Sequence, residues 1–257
     1  MVQLAARFGN VRFADRRQEI VRRIGIAAEP RPEDVAAPSL RRMLGELDVL
    51  AEPVRRRFRT TDIAPATTPR TVMLLPGFAT HPFRMRYLAQ QIERAGHTVK
   101  RWGLGYNLGP SEENLQQLEG RLEDLAARSG GPVYLVGWSL GGLFARELAK
   151  RRPHEVAKVV TMGSPFSYNP RANNAWRAYH LVTGHRVEEP PIEADLAAKP
   201  PVETVALWSP RDGIVHPRAA RGLPGERDRA VALRCTHLGF AYAPEVVSAI
   251  LRELDAG

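Results

Sequence analysis

The feature that most constrains this chain is a Gly-x-Ser-x-Gly motif, Gly137-Trp138-Ser139-Leu140-Gly141. The apolar run at 133–136 before it is typical of a buried strand, and the segment after it is typical of a helix. A tight turn between a strand and a helix strains the serine backbone and lifts its hydroxyl off the end of the sheet. Glycine at the flanking positions lets the strand and the helix cross closely. The motif therefore predicts a nucleophilic serine, with a glycine-rich turn that happens to hold a serine as the alternative.

From residue 71 onward, strand-like and helical segments alternate. Strands are predicted at 71–75, 97–102, 133–138, 156–162, 202–208 and 231–235. Helices are predicted at 85–95, from Ser111 as N-cap to about 129, from 140 to near 153, and at 244–254. This alternation is typical of a parallel sheet covered on both faces. The predicted fold class is α/β, with a mostly parallel central sheet.

Residues 1–69 form a different kind of segment, because they hold arginine clusters and no strand-like run. A helix is predicted to start at Pro38-Ser39 and to break at Pro53. Its apolar residues recur at helical spacing, whereas its charged residues fall elsewhere: Leu40, Met43, Leu44, Leu47 and Leu50 against Arg41, Arg42, Glu46 and Asp48. A weaker helix is predicted at 15–24 and a linker at 60–70. We expect a helical N-terminal arm (1–69) packed on the main domain (70–257) or on a second subunit, with a basic helix lying on a membrane as the alternative.

The alternation stops between 163 and 201, directly after the strand that follows the serine motif. An insertion at this place lies over the carboxyl edge of the sheet, so residues 164–201 are predicted to form a small lid. Trp176 either lines a substrate pocket or packs the lid onto the body. The sequence does not separate these two roles.

Composition limits the partners and the compartment. The 257 residues carry a net charge of +9, but no basic run is interleaved with base-stacking aromatics, so no nucleic-acid partner is expected. No apolar run is long enough to span a bilayer, and the first residues do not resemble a secretory signal. Cys235 is the only cysteine, which excludes an internal disulfide. These features predict a cytoplasmic protein.

A serine nucleophile needs a base and a carboxylate that orients the base, and after such a turn these follow in the order Ser, Asp, His. Asp212 lies just past the strand predicted at 202–208, whereas Asp195 and Asp228 do not follow a strand directly. His237 follows the last predicted strand and completes the order, unlike the other six histidines. Ser139, Asp212 and His237 are therefore the predicted catalytic residues.

The transition state of acyl transfer requires two N–H donors for its oxyanion. Leu140 follows the nucleophile at a helix N-terminus, and its amide is one predicted donor. Phe78, in the first strand-to-helix loop Pro76-Gly77-Phe78, supplies the other, with Ala79 as second choice. Ala79 and Trp138 are also predicted to border the substrate pocket.

Four ordered blocks resemble the α/β-hydrolase superfamily: Leu75-Pro76-Gly77-Phe78, Gly137-Trp138-Ser139-Leu140-Gly141-Gly142, Asp212-Gly213-Ile214-Val215 and His237-Leu238-Gly239-Phe240. The resemblance covers about residues 71–254 and implies the α/β-hydrolase fold. Two further stretches, 102–109 and Gly163-Ser164-Pro165-Phe166, are similar to the bacterial lipase and PGAP1-like esterase branch. That similarity implies that Tyr106 and Asn107 lie near the active-site cleft.

The sequence thus predicts a serine hydrolase that cleaves carboxylic esters of small molecules or lipids through an acyl-enzyme. An acyltransferase or thioesterase would use the same residues, and a non-catalytic binding protein on the same fold is the third reading. No metal or cofactor is predicted, because Cys235 lacks a thiol partner and no zinc or phosphate-loop motif is present. Contact of the basic arm with a membrane surface, and a homodimer, are further possibilities for partners.

Overall fold

A computed structural model describes residues 13–57 and 63–256. The strands are β1 (Thr71–Leu75), β2 (Thr98–Arg101), β3 (Val133–Trp138), β4 (Val156–Met162), β5 (Glu203–Trp208) and β6 (Arg229–Ala232). The α-helices are α1 (Phe13–Ala28), α2 (Leu40–Gly45), α3 (Glu52–Arg57), α4 (Arg86–Arg94), α5 (Glu112–Ser129), α6 (Leu140–Arg151), α7 (Trp176–Thr183), α8 (Pro217–Arg221) and α9 (Pro244–Asp255). Short 3-10 turns lie at Glu46–Ala51, Pro82–Met85, Pro153–Glu155 and Leu238–Ala241.

The six strands form one sheet in the order β2-β1-β3-β4-β5-β6, and all five neighbouring pairs are parallel. This confirms the predicted α/β class with a parallel central sheet. Carboxyl ends of all strands therefore meet at one edge, which is where loops carrying functional groups gather in such sheets.

Each face of the sheet buries a separate apolar layer. Helices α4 and α9 cover one face, where Leu88 and Val246 are fully buried. Helices α5 and α6 cover the other, where Leu118 and Leu148 are fully buried. Burial on both faces explains why β3 is a continuous apolar run rather than an alternating one. The core thus holds the central strands rigidly beneath the site.

Helix α5 shows how closely local signals fixed some boundaries. The Ser111 hydroxyl accepts a hydrogen bond from the Asn114 N–H at 3.1 Å, as expected of an N-cap. The helix ends at Gly130, which adopts the left-handed conformation with φ 72°. The predicted range from Ser111 to about 129 is therefore confirmed.

The last strand differs from the prediction of 231–235. It covers Arg229–Ala232, where it pairs with β5. Leu233 and Cys235 are buried at 7% and 5% exposure, but they belong to the loop beyond the strand. The apolar run therefore reflects burial in the core, and only its first part extends the sheet.

The N-terminal arm packs on the main domain at two places. Helix α1, longer than the predicted 15–24, lies against α7. Two arginines of α1 donate to backbone carbonyls at the end of α7. Arg22 donates to Gly184 at 3.0 Å, and Arg23 donates to Val182 at 2.7 Å. This tie connects the arm to the predicted lid segment.

The second part of the arm differs from the single helix expected between Pro38 and Pro53. Helix α2 gives way to a 3-10 turn at Glu46–Ala51, and Pro53 lies in the first turn of α3, where its missing N–H leaves no hydrogen bond unmade. The apolar stripe points outward. Its leucines are each at least 60% exposed: Leu40, Leu44, Leu47 and Leu50. Glu46 and Val49 face the body instead.

No helix within 13–57 or 63–256 combines the length and the apolar character needed to cross a bilayer. The cytoplasmic location stays a prediction, as do the domain boundaries at 69 and 70 and the extent of the lid.

Candidate active site

Ser139 occupies the turn between β3 and α6. Its backbone has φ 54° and ψ −121°, a conformation that non-glycine residues rarely adopt. A Cβ on Gly137 would overlap the backbone of Gly141, and one on Gly141 would overlap the Leu75 carbonyl. The two glycines therefore allow strand and helix to approach closely, so that the strained turn can present the serine.

Asp212 and His237 form a buried pair at the same edge of the sheet. Asp212 follows β5, and its Oδ2 lies 2.8 Å from Nδ1 of His237, which follows β6. The other oxygen of Asp212 accepts the N–H groups of Ile214 at 2.8 Å and Val215 at 2.7 Å. Three contacts thus fix the carboxylate, leaving it well placed to orient the imidazole.

The electrostatics of His237 favour its charged form. Burial alone lowers the pKa of this imidazole, but the charge and hydrogen bond of Asp212, together with the charge of Glu46, outweigh burial and raise that pKa. A base with an adjacent carboxylate is able to hold the proton that a nucleophile gives up.

The residue before the nucleophile touches the histidine. Trp138 donates its indole N–H to the His237 carbonyl at 3.1 Å, and the two ring centroids are 5.8 Å apart. Gly163, at the end of β4, completes the neighbourhood, because a Cβ added there would approach Asp212 Oδ2 at 3.0 Å and His237 Nδ1 at 3.1 Å. The structure therefore gathers the predicted residues at the ends of β3, β5 and β6, while their catalytic role stays a prediction.

The loop at 76–80 lies beside the serine, and Asn107 fixes it. Asn107 is completely buried and donates from its side chain to the Pro76 carbonyl at 2.8 Å. Its backbone exchanges two hydrogen bonds with the same loop, accepting from Ala79 at 2.7 Å and donating to Thr80 at 3.0 Å. A Cβ on Gly77 would come within 3.2 Å of the Ser139 Cβ. Asn107 is thus a clamp for the predicted oxyanion loop.

This arrangement distinguishes the two candidate donors of the loop. The N–H of Ala79 is engaged with Asn107, whereas no described residue accepts from the N–H of Phe78. Leu140 opens α6, where first-turn N–H groups have no acceptor within the helix. Phe78 and Leu140 are therefore the available pair, and their role at an oxyanion remains a prediction.

A cavity of about 880 Å³, including its open mouth, begins at Ser139. Its wall is mostly apolar and is formed by Phe78, Pro110, Leu140, Leu143, Phe144, Pro165, Pro170, Ala175, Trp176, Tyr179, Val187, Pro190, Ile192, Ala194, Leu196, Ile214 and Val215. Its polar members are Ser139, Asn173 and Glu147. The Glu147 carboxylate is paired with Lys150 at 2.7 Å and Arg151 at 2.9 Å. The surroundings of the serine therefore favour an apolar ligand.

Trp176 lies between the cavity and two arginines of the predicted lid itself. It lines the cavity and is only 1% exposed. It also packs between the guanidinium groups of Arg177 and Arg171, whose Cζ atoms lie 4.2 and 4.8 Å from the ring centroid. The other predicted pocket residues, Ala79, Trp138, Tyr106 and Asn107, lie outside the cavity wall. Of these, Tyr106 is exposed and lies against His81, at 5.2 Å between ring centroids.

The far wall of the cavity is held by a buried arginine of α6. Arg146 donates to the carbonyls of Leu196 at 3.2 Å and of Ala197 and Ala198 at 3.1 Å each. Burial lowers the pKa of this guanidinium to about 10, with the charges of Glu226 and Asp195 opposing the shift. Arg146 therefore anchors the end of the predicted lid, a function that no sequence motif signalled.

Glu46 is a second residue that the sequence pattern missed. Its Oε1 accepts the N–H groups of Gly213 and His237, and its Oε2 accepts that of Leu238, each at 2.8 Å. The carboxylate is only 6% exposed. The sequence placed Glu46 among the charged residues outside the apolar stripe, and nothing local distinguishes it from neighbouring Asp48.

Comparisons with known proteins agree with this architecture. The family model described as alpha/beta hydrolase fold matches residues 115–213, which include Ser139 and Asp212. A pimeloyl-[acyl-carrier protein] methyl ester esterase of Sodalis glossinidius (strain morsitans) is 35% identical over 91 residues, covering 35% of this chain. The match spans 30% of that relative's length.

Solved structures are similar over most of the chain at low identity. A methylesterase from Arabidopsis has a TM-score of 0.52 and 13% identity, covering 73% of this chain and 100% of the other. A bacterial membrane phospholipase A described as a virulence factor has a TM-score of 0.53 and 17% identity, covering 81% and 91%. At these identities the likeness shows the fold. Together with the parallel sheet, the strained serine turn and the family match over residues 115–213, it shows that the chain has the α/β-hydrolase fold.

Proposed function

We propose that the protein hydrolyses carboxylic esters through an acyl-enzyme on Ser139. One observation carries the proposal. The serine on the strained turn faces an apolar cavity, and the sheet edge where it lies also holds the buried Asp212–His237 pair. The Sodalis relative is named as a methyl ester esterase, which agrees in reaction type.

The mechanism follows from the roles of these groups. His237 takes the proton of the Ser139 hydroxyl as the oxygen attacks the acyl carbon, and Asp212 stabilises the resulting imidazolium. The N–H groups of Phe78 and Leu140 bind the developing oxyanion. The imidazolium returns its proton to the departing alcohol, leaving an acyl group on the serine. Water, deprotonated by the same histidine, then releases the acid.

The cavity suggests the class of ester. A wall of aliphatic and aromatic side chains, with the Glu147 carboxylate already paired with Lys150 and Arg151, favours an uncharged, apolar acyl or alcohol part. We therefore propose esters with an apolar chain and expect p-nitrophenyl esters to serve as probes.

The Ser139→Ala variant tests this function. We expect turnover of p-nitrophenyl butyrate and octanoate to fall by at least about 10³-fold, because the nucleophile is removed while the cavity stays intact. Circular dichroism and thermal unfolding establish that the variant is folded. Ser164→Ala is the control, since it makes the same change at a serine that is buried just past the end of β4 and has no place in the mechanism.

Appreciable turnover by folded Ser139→Ala would remove the serine from the mechanism. Acyl transfer to added alcohol or thiol that outruns hydrolysis in water would instead favour the acyltransferase or thioesterase reading.

For the alternative in which the arm contacts a membrane, we propose that its outward apolar face rests on an anionic lipid surface. Leu40, Leu44, Leu47, Leu50 and Val54 are each at least 60% exposed, and Arg41 and Arg42 are exposed beside them. An apolar face bordered by cations is the arrangement that binds anionic interfaces.

Sedimentation with vesicles tests this contact. We expect binding to vesicles of phosphatidylcholine and phosphatidylglycerol in equal parts and little binding to phosphatidylcholine alone. The double variant Leu44→Ser, Leu47→Ser should lose binding, whereas Leu223→Ser, at an exposed leucine outside the arm, should retain it. Absence of binding by the native protein would contradict the proposal. A second result would also contradict it: a native protein that is a dimer and a leucine double variant that is a monomer. The apolar face would then be a contact between subunits.

A further inference from the structure

The N-terminal arm reaches the buried acid–base pair through one side chain. Glu46 lies in the 3-10 turn after α2, and its carboxylate sits between the loop that carries Asp212 and the loop that carries His237. It accepts the N–H of Gly213, the residue after the acid, and the N–H groups of His237 itself and of Leu238. One carboxylate therefore bridges both loops.

The energetic weight of this contact is large because the group is buried. Removing a carboxylate from water is costly unless hydrogen bonds replace its hydration. The three backbone donors, each at 2.8 Å, are charge-assisted bonds, which are about twice as strong as neutral ones. Displacing Glu46 would leave three N–H groups without this acceptor, so the loops and the arm depend on each other.

Other residues of the arm also contact the loop that carries Asp212. A Cβ on Gly213 would overlap the backbone carbonyl of Arg42 in α2, so the acid loop and the arm are in direct backbone contact. Asn174, in the lid just before α7, donates to the carbonyls of Gly213 at 2.9 Å and Pro38 at 3.1 Å. Lid, acid loop and arm therefore meet around the Asp212–His237 pair.

We propose that Glu46 is a positioning residue of the active site, which holds the acid loop and the base loop in register. The inference rests on the proposed function for its kinetic consequence. It makes the arm a working part of the site, although Glu46 lies 167 residues before Gly213 and 192 residues before Leu238 in the sequence.

The charge of Glu46 should affect the pH dependence of the reaction, which a residue that only packs would leave unchanged. The titratable groups around His237 are Asp212 from the loop after β5 and Glu46 from the arm, with the Cys235 thiol two residues earlier and Glu245 of α9 beyond it. Both Asp212 and Glu46 raise the pKa of His237. Because the base must be neutral to act, removing the charge of Glu46 should shift the acid limb of the pH–rate profile to lower pH.

Glu46→Gln is the primary variant. Its amide has one acceptor oxygen, and its NH₂ group must face at least one backbone N–H. We expect kcat for a p-nitrophenyl ester to fall about 10- to 100-fold with KM nearly unchanged, since a small misplacement of catalytic groups has an effect of this order. The acid limb of kcat/KM should move to lower pH. Glu46→Asp, which keeps the charge on a shorter side chain, should restore the position of that limb while recovering only part of kcat.

Glu253→Gln is the matched control. Glu253 is 9% exposed and pairs with Arg229, but it lies on α9 away from the site. Its substitution should lower stability and leave kcat and the pH profile unchanged. If Glu46→Gln does not fold, Gly213→Ala, which presses the acid loop against Arg42, should lower kcat by the same route.

Native kcat and an unshifted acid limb in folded Glu46→Gln would overturn the inference. The same holds for an effect on stability alone, equal to that of Glu253→Gln. Failure of the proposed function is separate, since Ser139→Ala would then retain activity in the same assay.

Discussion

At the scale of single residues, the acid–base pair predicts how activity depends on pH. Asp212 and Glu46 raise the pKa of His237 against the opposing effect of burial. The protonated imidazole cannot accept the serine proton, so activity should rise as pH increases through this raised pKa. The acid limb of kcat/KM should therefore lie above the ordinary range of histidine.

Asp212→Asn should move that limb to lower pH and reduce kcat by about 10⁴-fold, because the amide can stabilise the wrong tautomer of the ring. The measurement is kcat/KM from pH 5 to 9, at each pH where the protein stays folded. A limb that does not move on this substitution would show that His237 is not the titrating base.

Residue order along the chain was enough to place Ser139, Asp212 and His237 at one edge of the sheet, because each follows a strand and parallel strands end at one edge. The roles of Glu46 and Arg146 could not be predicted from the sequence, because their partners are backbone groups far away along the chain. Hydrogen bonds to backbone leave no side-chain motif. The buried role of Asn107 was missed for the same reason, since its acceptor is the Pro76 carbonyl.

At the scale of elements, β1, β3 and α6 cross closely beside the site. Gly141→Ala should lower the free energy of unfolding by about 1–3 kcal/mol or more, since its Cβ would overlap the Leu75 carbonyl. Gly120→Ala is the matched control, because Gly120 lies on the exposed face of α5 with no atom within 4 Å of an added Cβ.

The control should raise stability by up to about 1 kcal/mol through helix propensity alone. Urea unfolding of both variants gives the change in the free energy of unfolding for the same Gly→Ala substitution at the crossing and on the exposed face of α5. Equal effects of the two substitutions would contradict the close crossing.

Strong local signals located the central elements, whereas the arm was predicted less well. The periodic leucines correctly indicated helical structure but not which side faces the body. A hydrophobic stripe ordinarily packs inward. Here the arm contacts the body through the buried carboxylate of Glu46 and through Val49, so the leucine stripe faces outward instead.

At the scale of the whole molecule, the alternation of strands and helices predicted the architecture, and two additions, the insert and the N-terminal arm, complete its site. The insert covers the cavity, Arg146 and Arg171 attach it, and the arm reaches beneath it to the acid–base pair. Arg171 links the arm and the insert directly, pairing with Glu29 at 2.6 Å and Glu188 at 2.5 Å. Such contacts between distant segments depend on the folded chain, so sequence patterns do not reveal them.

The central claim is that Ser139 becomes the acylated nucleophile. Reaction of the native protein with a fluorophosphonate, followed by intact-mass measurement and peptide mapping, tests it most directly. We predict one adduct per chain, located on Ser139 and absent from Ser139→Ala. No adduct on the folded native protein, or an adduct on another residue, would contradict the account.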